Sequence, residues 1–229
     1  MKYKAVIFDL DGTLVNSIAD LSDSVNIMLK EYGYPEHDED EYRYFVGNGS
    51  RKLVERALPK EKSRDNAFVS EALAKFKKIY SSRYLEKTRA YHAIPEVLRE
   101  LRDWGIPLGI CTNKHQEAAD VISRILFDED TFQEVRGDTP STKRKPDPEK
   151  PLEIAQHFGV EPFEVAYLGD SGVDMQTACN AGFLPVGVLW GFRDKKELIE
   201  NGAEILLDNP VDLLRKVEFK REKKYSTAN

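Results

Sequence analysis

Short apolar runs alternate along the chain with longer stretches whose apolar positions repeat every three or four residues. The run 5–8, Ala-Val-Ile-Phe, is wholly apolar and stops abruptly at Asp9, the pattern of a strand buried on both faces. Comparable runs at 108–111, 165–168, 185–189 and 205–207, with a weaker one at 134–135, predict further strands. Between them, Val97, Leu98, Leu101 and Trp104 share a helix face that Gly105 terminates. Val121, Ile122, Ile125 and Leu126 form a second stripe, and Leu152, Ala155 and Phe158 a third before Gly159. This alternation predicts an α/β fold: a doubly wound, mainly parallel, Rossmann-like sheet with helices on both faces.

The segment 16–88 breaks the alternation. Ser17 and Asp20 have the spacing of a capping box, and Ile18, Leu21, Val25, Met28 and Leu29 then line one helical face before Gly33 and Pro35. Two more helical patterns follow, at 52–58 and 67–84, and no strand pattern appears. The expected organisation is a catalytic core of residues 1–15 and 89–229 with a small all-helical domain, 16–88, inserted after the first strand. The acidic run 36–41 reads as a solvated face.

Composition narrows the function classes. The 229 residues carry 34 Lys and Arg against 40 Asp and Glu, a net charge of −6, and 41% are hydrophobic. That is enough apolar material for a packed core. An acidic chain lacks the basic footprint of a nucleic-acid binder, and no apolar run approaches the length of a membrane span. Residues 1–10 lack a signal-peptide pattern, so the expected compartment is the cytoplasm, and the match of Asn48-Gly49-Ser50 to a glycosylation sequence has no consequence there. Cys111 and Cys179 read as two reduced, buried thiols, and the charged tail from 216 to 229 as a solvated end that frays.

The candidate chemistry gathers where strands end. Asp9-Leu10-Asp11-Gly12-Thr13 places two carboxylates at the carboxyl end of the first strand. Like charges so close need a cation or a shared proton, and hard oxygen ligands suit Mg²⁺. A polar turn closed by Gly12 is the alternative. The run 108–111 leads into Thr112 and Asn113, and 165–168 leads into Gly169-Asp170 with Asp174 four residues on. Lys145, in Arg144-Lys145-Pro146-Asp147-Pro148, precedes the helix carrying Leu152. In a doubly wound sheet these ends converge on one crevice, which would hold carboxylates, a hydroxyl, an ammonium group and Mg²⁺. Those are the requirements of phosphoryl transfer. Lys145 could instead be a solvated lysine, and Asp174 a helix N-cap.

Phe8-Asp9-Leu10-Asp11-Gly12-Thr13-Leu14, Thr112-Asn113-Lys114, Lys145-Pro146 and Gly169-Asp170-Ser171-Gly172-Val173-Asp174 resemble, in order and spacing, the four motifs of the haloacid dehalogenase superfamily. Phe45-Val46-Gly47-Asn48-Gly49, Gly137-Asp138, the stretch 177–182 and Trp190-Gly191-Phe192 resemble its phosphoglycolate phosphatase branch. The resemblance implies Mg²⁺-dependent hydrolysis of a small phosphomonoester through an aspartyl-phosphate. Asp9 would be the nucleophile and Asp11 the general acid and base. Mg²⁺ would be held by Asp9, the backbone carbonyl of Asp11 and Asp170, with Asp174 reaching it directly or through one of its ligands. Thr112 and Lys145 would hold phosphoryl oxygens, with amides near Leu10, Gly12 and Asn113.

The insert would be a mobile cap that selects a small phosphorylated metabolite through Gly47, Asn48 and Arg51, the last pairing with a substrate carboxylate. A surface arginine is the alternative for Arg51. Asp11 argues against a dehalogenase, because a departing halide needs no acid. Another phosphatase acting on a nucleotide or pyrophosphate, or a sugar-phosphate mutase, remains an alternative. No nucleic-acid or membrane partner is expected, and the chain would be a monomer or homodimer. One departure from the branch is Tyr91-His92-Ala93-Ile94-Pro95, which stands where a proline–glycine turn is usual and bears on the hinge.

Overall fold

The structure, a computed structural model, describes residues 2–220. Its first half runs β1 (Ala5–Phe8), β2 (Val15–Asn16), α1 (Ile18–Glu31), α2 (Glu39–Phe45), α3 (Ser50–Ala57), α4 (Lys60–Ser63), α5 (Asn66–Tyr80), β3 (Arg89–Ala90) and α6 (Ile94–Asp103). The second half runs β4 (Leu108–His115), α7 (Gln116–Leu126), β5 (Glu134–Asp138), α8 (Glu149–His157), β6 (Val165–Gly169), α9 (Gly172–Ala181), β7 (Leu184–Val188), α10 (Lys195–Glu200), β8 (Ile205–Leu207) and α11 (Leu213–Lys216).

Six strands form one parallel sheet in the order β5-β4-β1-β6-β7-β8. From β1 the chain builds outward through β4 to β5, then crosses back to β6 and builds the other way. The direction reverses beside β1, which opens a crevice outside the carboxyl ends of β1, β4 and β6. Alternate residues of β1 enter opposite layers, which is why the run carries no polar position. Val6 and Phe8 join the core of α6 and α7 with Val97, Leu101 and Ile122, whereas Ala5 and Ile7 join that of α8 and α9 with Ile154 and Ala178.

Strand β4 extends four residues beyond the expected 108–111, and its pairing with β5 shifts register between Cys111 and His115. Thr112, Asn113 and Lys114 therefore lie within an irregular stretch of strand and not in a loop. Such irregularities re-aim side chains at the rim of a sheet. In α7 the face on the sheet is Ala119, Ile122 and Ser123, and Ile125, expected in the stripe, is 60% exposed. Cys111 is buried as expected, but Cys179 is exposed on α9. At the carboxyl terminus Val217 and Phe219 are buried and Tyr3 bridges to Phe219, so the chain is packed through 219; residues 221–229 of the expected frayed tail lie outside the described residues.

All five helices α1–α5 fall within 16–88 and surround a second hydrophobic cluster that includes Val25, Met28, Tyr42, Val54 and Phe76. Two of them, α2 and α4, carry no apolar stripe long enough to be read from sequence. The acidic run supplies the start of α2, where Glu41 accepts the Asp38 N–H at 3.0 Å. The insertion is not free of extended chain: its stem is a two-stranded antiparallel ribbon pairing Val15 with Ala90 and Asn16 with Arg89. The expected Ser17–Asp20 capping box does not form. Ser17 instead donates to Asp11, and buried Asp20 accepts the Lys87 and Thr88 N–H groups and the Thr88 hydroxyl. Asp20 thereby fastens the start of α1 to the returning stem.

After that stem, Ala93 has φ 65°, the one non-glycine in the left-handed region among the described residues. The unusual 91–95 sequence thus keeps a backbone suited to glycine and places alanine in it, at a cost of about 1 kcal/mol. Ala93→Gly should raise stability by roughly 0.5 kcal/mol after the added chain entropy is offset. Chemical denaturation of the two proteins, compared at their midpoints, checks this.

Candidate active site

Asp9 follows β1 directly, and its N–H donates to Leu168 O of β6 at 2.8 Å, holding the turn against the neighbouring strand. Asp170 follows β6, and Asp174 lies in the first turn of α9. These three buried carboxylates offer oxygens within 4.8 Å of one another. Lys145 is seated among them, with Nζ 2.8 Å from Asp9 Oδ1 and donating to Asp174 Oδ1 at 2.6 Å. Buried Asp9 Oδ1 is thus compensated by the Lys145 ion pair.

Other oxygens of the cluster have defined donors. Asp174 Oδ2 accepts the N–H and hydroxyl of Ser171, so Asp174 occupies the third position of a capping box and not the N-cap itself. Asp170 Oδ2 accepts the Phe192 N–H at 2.8 Å. Glycine is required where two loops close on that carboxylate. A Cβ on Gly12, at φ 84°, would lie 2.3 Å from Asp170 Oδ2, and one on Gly191 would lie 2.2 Å from Asp170 Cβ.

Three carboxylates against one ammonium leave the fully ionised cluster at −2. Burial, then Asp174, push Asp9 up to about 6 despite Lys145, and burial with Asp174 and Asp9 pushes Asp170 well above the usual range. Burial opposes the charge on Lys145, but Asp174 and Asp9 outweigh it and raise its proton affinity. Hard oxygens in a cluster with residual charge −2 fit a divalent cation.

At the end of β4 the side chains act in series. Asn113 is bidentate on the Lys145 backbone, accepting its N–H at 2.9 Å and donating to its carbonyl at 3.3 Å, and also donates to Gly47 O. Its amide therefore places the lysine and touches the insertion. Thr112 Oγ1 accepts the Lys114 N–H, and Thr112 O accepts buried Lys150 Nζ at 3.1 Å. Lys150 also donates to Gly137 O, tying β4 to β5. The carboxylate of Asp11 stands apart from the acidic cluster. It accepts Lys114 Nζ on both oxygens and the Ser17 hydroxyl at 2.6 Å.

A cavity of about 370 Å³ lies over this floor. Asp9, Asp11, Thr112 and Asp170 line its base; Leu21, Leu53, Phe76 and Tyr84 of the insertion and Phe192 of the core line its walls. Gly47 lines it as expected, but Asn48 and Arg51 do not. Asn48 Oδ1 accepts from Arg56, and the three Arg51 nitrogens donate to Glu55, Ser70 and Asn66. Arg51 braces α3 against α5, and its guanidinium is held within the insertion and not in the cavity lining.

Lys114, Tyr80, Ser17 and Arg193 were not expected at the site. Arg193 lines the cavity and donates to Val46 O at 2.8 Å, clasping core to insertion. The place of Lys114 in the Thr112-Asn113-Lys114 motif was a visible signal, whereas Tyr80 lies 34 positions from its partner on a face that reads as core.

Comparison with known proteins places this geometry among relatives. The model of the family described as haloacid dehalogenase-like hydrolase matches residues 6–188. The chain is similar to the phosphoglycolate phosphatase of Pseudomonas putida, 32% identical over 90% of this chain and 76% of that protein. It is similar also to the phosphoglycolate phosphatase of Mannheimia succiniciproducens, 30% identical over 93% of this chain and 98% of that protein. A crystal structure from Lactobacillus delbrueckii subsp. bulgaricus superposes with TM-score 0.88 at 29% identity, covering 96% of this chain and 100% of that one.

The raised affinities of Asp9 and Asp170 mean that the folded state holds protons more tightly than the unfolded state. For metal-free protein, stability should therefore fall as pH rises from the unfolded carboxylate range, near 4, through about 6. In chelator, Asp170→Asn should lose less Tm than wild type between pH 5 and 7.5; Mg²⁺ at pH 7.5 should raise the Tm of wild type and not that of the variant. Arg51→Ala should lower Tm while leaving KM for a carboxylate-bearing phosphomonoester within about twofold, because its bonds lie inside the insertion. Steady-state kinetics beside a melting curve test both halves.

Proposed function

This chain belongs to the haloacid dehalogenase-like hydrolase family, and from that premise we propose that it hydrolyses small phosphomonoesters of the phosphoglycolate kind with Mg²⁺, through an aspartyl-phosphate on Asp9. The observation that carries this reading is the convergence of Asp9, Asp170, Asp174 and Lys145 beneath a walled cavity, with a further carboxylate, Asp11, set apart from them. The names of the relatives support the substrate class.

Asp9, Asp170 and Asp174, with the Asp11 carbonyl, are the groups to hold Mg²⁺, which when bound neutralises the carboxylates and polarises a phosphoryl oxygen. Asp9 attacks phosphorus, and the P–O bond to the alcohol breaks in line. Asp11 gives its proton to the departing oxygen, retaining the O–H electron pair as a carboxylate. Water then attacks phosphorus and passes a proton to Asp11; the bond to Asp9 breaks, and phosphate leaves with both carboxyl groups restored. Thr112 and Lys145 hold the phosphoryl oxygens, and Asn113 keeps Lys145 in place through its backbone. The apolar walls exclude bulk water, which strengthens every charge interaction at the floor. The helical insertion acts as the cap.

Asp9→Asn should reduce phosphate release from phosphoglycolate by about 10³-fold or more while leaving the melting transition cooperative. Turnover near wild type would remove Asp9 as nucleophile. A Mg²⁺-containing panel of phosphoglycolate, a hexose phosphate, a nucleoside monophosphate and pyrophosphate assigns the substrate, and an isomerised hexose phosphate in place of free phosphate would favour a mutase.

A further inference from the structure

Lys114 is a buried ammonium that the chemistry above leaves without a task. Its Nζ donates to Asp11 Oδ1 and Oδ2 at 2.9 and 3.0 Å and to the Tyr80 phenol oxygen at 2.7 Å. An ammonium has three donors, and these three acceptors take them all. A phosphoryl oxygen could bind Lys114 only by displacing one. Tyr80 is fixed in turn: its ring stacks on Phe76 at 5.4 Å and 14°, and Lys114 Nζ lies 4.9 Å from its centroid. The partners come from separate parts of the fold. Lys114 is on the irregular end of β4, Asp11 is on the loop after β1, and Tyr80 is the last residue of α5 in the insertion.

We propose that Lys114, anchored by Tyr80, is the positioning residue for Asp11, holding its carboxyl group on the leaving-group side of the cavity only while the insertion lies over the crevice. The inference rests on reading Asp11 as the group that protonates the leaving oxygen. Rotation of the Asp11 carboxylate would break both contacts to Lys114 and the one from Ser17, so its direction is set by residues that never meet phosphorus. With the insertion withdrawn, Lys114 loses the Tyr80 oxygen and its own orientation. The acid–base group is therefore assembled by closure.

The test separates leaving groups. An alkyl alkoxide needs the Asp11 proton to depart, whereas para-nitrophenolate leaves as the anion. In the full chain with Mg²⁺, Lys114→Met should lower kcat on phosphoglycolate about tenfold or more, lower kcat on para-nitrophenyl phosphate several-fold less, and leave both KM values near wild type. Tyr80→Phe, which deletes one oxygen and keeps the stacked ring, should show the same asymmetry with a smaller loss, and carries the test if Lys114→Met folds poorly. Ethylammonium added to Lys114→Ala should restore part of the phosphoglycolate rate. Equal losses on the two esters, or a rise in KM in place of the fall in kcat, would overturn the proposal and make Lys114 a packing group or a phosphate ligand. Wild-type protein that turns over neither ester would overturn the functional reading and this proposal with it.

Discussion

Three buried carboxylates within 4.8 Å of one another are the constraint to which the rest of the molecule answers. Uncompensated charge in a protein interior costs several kcal/mol per ion, far more than any single packing contact supplies. Different devices accordingly manage parts of that charge. Lys145 neutralises part of the charge, Ser171 and the start of α9 take one oxygen of Asp174, and the Phe192 N–H takes one of Asp170. Gly12 and Gly191 let backbone press against Asp170 where any side chain would collide. One ammonium against three carboxylates leaves a residual charge of −2 when all are ionised, and that imbalance is what a divalent cation fits.

The same constraint reaches the insertion. The Phe192 amide binds Asp170 while its side chain joins the hydrophobic cluster of α1–α5, and the next residue, Arg193, donates to carbonyls of Tyr44 and Val46. Asn113 likewise serves two masters, holding Lys145 by its backbone and reaching Gly47 O. Floor and walls of the cavity are thus joined by groups that also order the acidic cluster. A shift of the insertion changes the polar shell of the site as well as its access.

Legibility in the sequence followed the range of each interaction. The sheet strands were visible because a strand buried on both faces admits no polar residue, and the acidic cluster was visible because its members end such strands. The irregularity in β4 was not, since register depends on pairing with β5. The partners of Arg51 and Ser17 were hidden for a related reason. Each fits a local role, but its partner sits on a neighbouring element: Asn66 and Ser70 of α5 for the first, Asp11 on the loop after β1 for the second. Tyr80 was hidden completely, because an aromatic residue on the apolar face of a helix looks like core until its hydroxyl is placed beside Lys114.

The net charge of −6 describes the surface, and the site works against it. A phosphomonoester dianion cannot be held by Lys145 alone, because that ammonium is already shared between Asp9 and Asp174. Lys150 supplies a second buried positive charge behind Thr112; its partners there are carbonyls, and burial lowers its proton affinity. Lys114 adds a third, committed to Asp11. Three buried lysines around one crevice, none facing open water, form a positive shell beneath an acidic exterior. Much of that shell is committed to carboxylates and carbonyls, so Lys145 and Thr112 need the divalent cation that the acidic cluster fits to complete the charge that balances a phosphate dianion.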